Sequence, residues 1–226
     1  SLLGMDWYID QIKRKVYDAD PVPSILTNKD YKGNSKNGFP TYKNKKKKNS
    51  KKAMKEIKSG KGCPRNIIIS VDTNKIPASD LELWKDKDIV SQIELTVKGG
   101  RINQHEIAFL DILSHFGFER PIYFISAQQT LSKFSMIGKG NPRTQEELTK
   151  YIGLLDYVQE EGAVSRLVPF KTSYYNQQNV DTEISYDLLV NSYNYGNVIN
   201  PDVYFDYYSV RSIIGFRYPF LKTATE

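Results

Sequence analysis

Residues 94–126, ELTVKGGRINQHEIAFLDILSHFGFERPIYFIS, read as strand, amphipathic helix and strand, and the rest of the chain is organised around them. Asn103 is placed to cap the helix. Glu106, three residues on, can reach back to the cap's own amide, which makes a capping box. Phe109, Ile112, Leu113 and Phe116 recur at i, i+3, i+4 and i+7, which predicts one apolar stripe opposite Asp111 and Ser114. Gly117 suits a left-handed helix end over which Phe118 can fold, and Arg120-Pro121 blocks continuation. The run 122–125, Ile-Tyr-Phe-Ile, is then expected as a strand buried on both faces of a parallel sheet, joined by a right-handed crossover.

Working outward, 226 residues with 39% hydrophobic content are enough for a sizeable core, and no apolar run approaches the length of a membrane span. Asp6 is placed to cap a first helix, residues 66–71 read as a strand, and residues 80–89 as a short helix. Thr144 and Glu147 form a second capping box, opening a helix that buries Leu148, Ile152, Leu155 and Val158 and ends at Gly162. A strand at 164–168, a helix opened by Asp181, and a last helix opened by Asp206 and interrupted by Pro219 complete the series. Strands alternating with helices predict an α/β layered fold: a mainly parallel sheet holding 67–71, 122–125 and 164–168, flanking helices, and a helix-rich C-terminus. Residues 1–226 form one domain in this reading.

Charge is unevenly spread. Residues 29–62 carry thirteen lysines against Asp30 and Glu56, a local net of +11 within a whole-chain +6, so the rest carries −5. With so few apolar residues, positions of about 28–62 are expected as a mobile lysine-rich excursion, with room for one short helix near residues 53–57. A nucleic-acid module is one reading of the lysine run, but only Tyr31, Phe39 and Tyr42 stand near it for base stacking. A solvated loop, or attraction to an anionic membrane surface, fits the composition better.

Gly99-Gly100 before a helix suggests an anion-binding turn and hence a phosphate- or nucleotide-binding α/β enzyme, although its spacing is neither GxGxxG nor a P-loop. Gly138-Lys-Gly140 lacks the P-loop's span. Asp111, Glu160, Glu161 and Asp187 are available for acid/base work, yet no spacing places two of them in one site, so no catalytic residue is assigned. Arg120 and Arg166 sit at or in apolar strands and are expected to pair with carboxylates. Cys63 stands alone, and His105 and His115 fall on different helix faces, so neither a disulfide nor a metal site is predicted, and no cofactor. The Tyr and Asn richness of residues 172–208 offers a stacking surface for sugars or peptides, or helix packing. In open α/β sheets ligands sit beyond the carboxyl ends of strands, which nominates Ser126, Gln128 and Gln129 as an acceptor-contact surface.

Several motifs carry a resemblance over nearly the whole chain: Ser1-Leu-Leu-Gly-Met-Asp-Trp-Tyr-Ile-Asp10, Arg14-Lys15-Val-Tyr17, Asp20-Pro-Val-Pro23, Glu119-Arg-Pro-Ile-Tyr-Phe124, Tyr151-Ile-Gly-Leu-Leu-Asp-Tyr157 with Glu161-Gly162, Arg166-Leu-Val-Pro169, Val180-Asp-Thr182 with Tyr186-Asp187, and Asn200-Pro-Asp-Val-Tyr204. They resemble a bacterial family of polytopic membrane proteins that is similar to protein O-mannosyltransferases. The resemblance implies a catalytic membrane part on the N-terminal side, followed by a soluble part on the periplasmic face of the inner membrane. This chain, starting at Ser1 without Met, reads as that soluble part. It implies an accessory role, either recognising a protein or glycan acceptor or stabilising the membrane part of the same polypeptide. No catalysis is expected from this piece alone, because the family's catalytic acids belong to the membrane portion.

Overall fold

The computed structural model describes residues 23–33, 38–97, 100–125, 154–172, 179–195, 198 and 200–225. The expected first helix, the Gly138-Lys-Gly140 loop and the Thr144–Glu147 capping box lie outside them. In chain order the elements are α1 (Asn28–Gly33), β1 (Phe39–Tyr42), β2 (Lys48–Asn49), α2 (Ser50–Lys58), β3 (Cys63–Pro64), β4 (Asn66–Ser70), α3 (Ala78–Leu83), β5 (Gln92–Thr96), β6 (Arg101–Ile102), α4 (Gln104–Phe116), β7 (Tyr123–Phe124), β8 (Val158–Glu161), β9 (Val164–Leu167), α5 (Thr182–Tyr186), α6 (Tyr207–Gly215) and α7 (Arg217–Thr225).

The layered, mainly parallel sheet is not what forms. Among the described residues the strands make three small sheets of three strands each, β3-β1-β6, β2-β4-β5 and β7-β9-β8. The first two are mixed and the third is antiparallel throughout. Strand 66–70 therefore lies apart from 123–124 and 164–167, which were expected beside it. The reason is in the connections. β8 and β9 are joined across Gly162 and Ala163, too short a link for anything but a hairpin. Gly162 takes φ +62, and a Cβ there would stand 3.0 Å from the Tyr193 hydroxyl. Leu155 and Val158 are buried as expected, but in a 3-10 turn (Leu155–Tyr157) and a strand instead of a helix.

The helix-crossover unit exists elsewhere. β2 pairs with β4 in parallel, and the chain between them passes through α2, inside the lysine-rich segment, and then β3. Asn49 caps α2 by accepting from the Lys51 amide at 3.1 Å. Ala53, Met54 and Ile57 are at most 4% exposed and α2 packs against α4. The segment is thus anchored by Phe39, Ala53, Met54 and Ile57, which belong to the core, while its lysines stay at the surface. Three apolar residues at helical spacing suffice to seat the helix, whatever the charge around them.

α4 begins and ends where its local signals say. Glu106 accepts from the Asn103 amide at 2.6 Å to close the capping box, and Gly117 is left-handed at φ +53. Phe118, also at positive φ, lays its ring 4.5 Å from that of Phe116. The buried face is rotated from the expected stripe. Leu113 and Phe116 are buried and Phe109 packs at the core's edge, but Ile112 is exposed while Asp111 and Ser114 face inward. Asp111 is buried because the incoming chain supplies its partners: it accepts from Ser24 Oγ at 2.5 Å and from the amides of Ile25 and Leu26. Nor is 122–125 buried on both faces, since Ile125 is 92% exposed.

Asp181 and Asp206 cap α5 and α6 as expected. The interruption at Pro219 takes the form of a break at Phe216, with Pro219 in the first turn of α7, where its missing N–H has no helical partner to lose. One hydrophobic cluster runs from Leu26 to Phe170, and the Val90 amide bonds the Pro169 carbonyl at 2.8 Å to tie the early strands to the later ones.

Candidate functional site

Two places gather chemically distinctive side chains. The first is a buried charge centre on β9. Arg166, 6% exposed, donates to Asp80 at 2.5 Å and faces Glu161 at 3.7 Å across the β8–β9 hairpin. Its guanidinium lies 4.8 Å from the Trp84 ring and 5.9 Å from the Tyr123 ring, and the Tyr123 hydroxyl donates to Glu161 at 3.1 Å. Burial raises the Glu161 carboxyl above its ordinary range; the Arg166 charge opposes that. The expected Arg166–carboxylate pairing is therefore present, holding α3 to the third sheet. One cation sits between two acids with aromatic rings on it, which suits a structural clasp.

The second is an aromatic groove beside the C-terminal helices. α5 runs directly into a π-helical turn, Asp187–Ser192, a wide turn of the kind that often borders functional sites. The chain then turns outward so that Tyr193, Asn194 and Tyr195 face Ile213 and Phe216 of the α6 end, with Ala163 from the β8–β9 turn alongside. They enclose a cavity of about 600 Å³. That is the size of a small-ligand or side-chain pocket. Tyr195 is fixed by donating to the Leu189 carbonyl at 2.6 Å, and its ring lies 6.2 Å edge-on from Phe216 and 6.0 Å from Phe220. The Ala163 amide donates to the Tyr193 hydroxyl at 3.4 Å. Lys222 of α7 pairs with Glu160 at 2.7 Å, which holds the helical wall against β8. Aromatic faces with an amide and hydroxyls at the rim can stack on a sugar ring or a peptide side chain and hydrogen-bond its edge. The Tyr and Asn richness of residues 172–208 was the signal for this surface; the fold that shapes it was not readable.

The other sequence-nominated residues fall as follows. Ser126, Gln128 and Gln129 lie outside the described residues. The rule that nominated them concerns open parallel sheets, whereas β7, just before them, is antiparallel to β9. Asp111, Glu160, Glu161 and Asp187 are held separately: by the chain at 24–26, by Lys222, by the Arg166 centre and by Asn191. Gly99 lies outside the described residues; Gly100 is followed by β6 before α4 starts, and the Glu106 side chain occupies the helix N-terminus. Cys63 is buried and its thiol is pushed up to about 12 by desolvation. Among the described residues no group of metal-ligating side chains could hold an ion, and no helix is long and apolar enough to cross a membrane.

Glu106, expected as a helix cap, carries a further feature. Its side chain is wholly buried, Oε1 has no hydrogen-bond partner among the described residues, and desolvation raises its carboxyl to about 7.

A family model described as TMEM260-associated domain 2 matches residues 1–184. It spans the three sheets and the Arg166 centre and stops before the tyrosines of the groove. No curated protein and no solved structure matches the chain. With the match covering most of its length, the chain belongs to the TMEM260-associated domain 2 family, domains that accompany a membrane protein.

Proposed function

We infer that this chain is the accessory extracytoplasmic domain of a glycosyltransferase-like membrane protein and that it works by binding, receiving the acceptor's sugar or peptide chain in the groove of Tyr193, Tyr195 and Phe216. The observation that carries the reading is the groove itself: a concave aromatic surface of about 600 Å³ on a domain whose family accompanies a membrane protein. Stacking is tolerant of sequence and suits an acceptor presented in many contexts. The motif resemblance to relatives of protein O-mannosyltransferases supplies the reaction class, and sugar transfer belongs to the membrane part.

The test is made in cells lacking the full-length protein and complemented with it. Complementation with Tyr195→Ala and Phe216→Ala together is expected to lower acceptor glycosylation at unchanged protein level. Glycosylation equal to wild type overturns the groove as the acceptor site. Sugar transfer by the isolated chain overturns the accessory role.

A further inference from the structure

We propose that the lysine face of α2 and the adjoining β1–β2 turn is a docking surface for an anionic lipid bilayer, which orients the domain on the membrane. The inference is independent of the groove. Burial of Ala53, Met54 and Ile57 fixes the roll of α2, and Lys51, Lys52, Lys55 and Lys58 then share the exposed side. Lys45 and Lys46 project from the turn before β2. Lys47 and Lys48 are paired with Glu94 and Glu56, whereas Lys45, Lys46, Lys51, Lys52 and Lys55 make no ion pair among the described residues. The positive charge is therefore held on structured backbone.

The chemistry of the patch selects among anions. It contains lysine and no arginine between residues 43 and 61, hence point charges without the planar fork that grips a single phosphate or carboxylate. A diffuse charged surface needs only point charges. Stacking partners for nucleic-acid bases are turned inward: Phe39 is 3% exposed, Tyr31 packs on the core, and the Tyr42 hydroxyl donates to Glu56. Among the described residues a single strand would find cations beside this patch but no aromatic platform. A domain that accompanies a membrane protein has a bilayer within reach.

The test is co-sedimentation of the purified chain with phosphatidylcholine vesicles, with and without phosphatidylglycerol, compared with a Lys51→Gln, Lys52→Gln, Lys55→Gln variant. Each lysine near an anionic surface changes binding roughly 5-fold, so the triple variant should bind about 100-fold more weakly. Wild-type binding should also fall steeply as salt rises from about 0.1 M to about 0.5 M. Gln keeps the helix propensity of Lys and the three positions are exposed, so the variant's melting temperature serves as the folding control. Phosphatidylglycerol-dependent, salt-sensitive binding lost in the variant bears the proposal out. No binding, binding that ignores phosphatidylglycerol, or binding undiminished in the variant overturns it. Tighter binding to duplex DNA or to a sulfated polysaccharide than to the anionic vesicles at physiological salt overturns it in favour of a polyanion.

Discussion

Glu106→Gln should stabilise the protein at neutral pH and leave its stability nearly unchanged in acid. The wild-type carboxyl is wholly buried on the first turn of α4, with one oxygen accepting from Asn103 at 2.6 Å and the other without a partner among the described residues. Burial lifts it from 4.5 to about 7, with the Asn103 bond pulling the other way. A raised carboxyl favours the protonated form in the folded state. Its stabilising contribution is complete below about pH 4.5 and is lost as pH rises to about 7, after which the cost of ionisation stays constant. At 1.36 kcal/mol per pH unit, the gap corresponds to roughly 3 kcal/mol. Glutamine keeps an oxygen for Asn103 and, like protonated glutamate, leaves one polar group unpartnered, so the two proteins match in acid. Urea unfolding at intervals from pH 4.5 to 8 should show the variant's advantage growing from near zero to about 3 kcal/mol, most of it between pH 5 and 7. A difference that does not vary with pH, or a variant less stable at pH 8, would show that Glu106 is not a buried carboxyl with a raised pKa.

Met54→Ala and Ile57→Ala should each cost about 2–5 kcal/mol in urea unfolding, because each leaves a cavity between α2 and α4; a loss under about 0.5 kcal/mol would return the lysine-rich segment to the status of a loop. Arg166→Met strands Asp80 and Glu161 without their cation and should cost about 3–5 kcal/mol, measured the same way; an unchanged midpoint would mean the pairing is dispensable. Cys63 should resist a thiol reagent such as dithionitrobenzoate at pH 8 in the folded protein and react at once in urea, and rapid labelling without denaturant would contradict its burial.

Local signals were legible and long-range ones were not. The Asn103–Glu106 box and the left-handed Gly117 depend on neighbours within a few residues, and both stand where the sequence puts them. The roll of α4 depends on Asp111 meeting the chain 85 to 87 residues earlier, and no periodicity carries that. The sheet pairing escapes the sequence for a related reason. β2, β3, β6 and β7 have two residues each, too few for an alternation, and their pairing is set by connections instead. In α2, composition masked spacing: the lysines are conspicuous, while the apolar side that seats the helix is three residues wide. For the site, the abundance of tyrosine was readable, but the π turn that aims Tyr193 and Tyr195 at Phe216 was not.

The proposed role of the groove is to receive the acceptor of a membrane-bound transferase. Its most direct test is a photo-crosslinking amino acid at Phe216 in the full-length protein in native membranes, 43% exposed and on the groove wall, with Leu83, exposed on α3, as the control position. Light-dependent adducts to glycosylated acceptor proteins are expected from position 216 and none from position 83. Adducts from 216 that form only within the polypeptide itself or with lipid, or equal acceptor capture from both positions, would contradict that role.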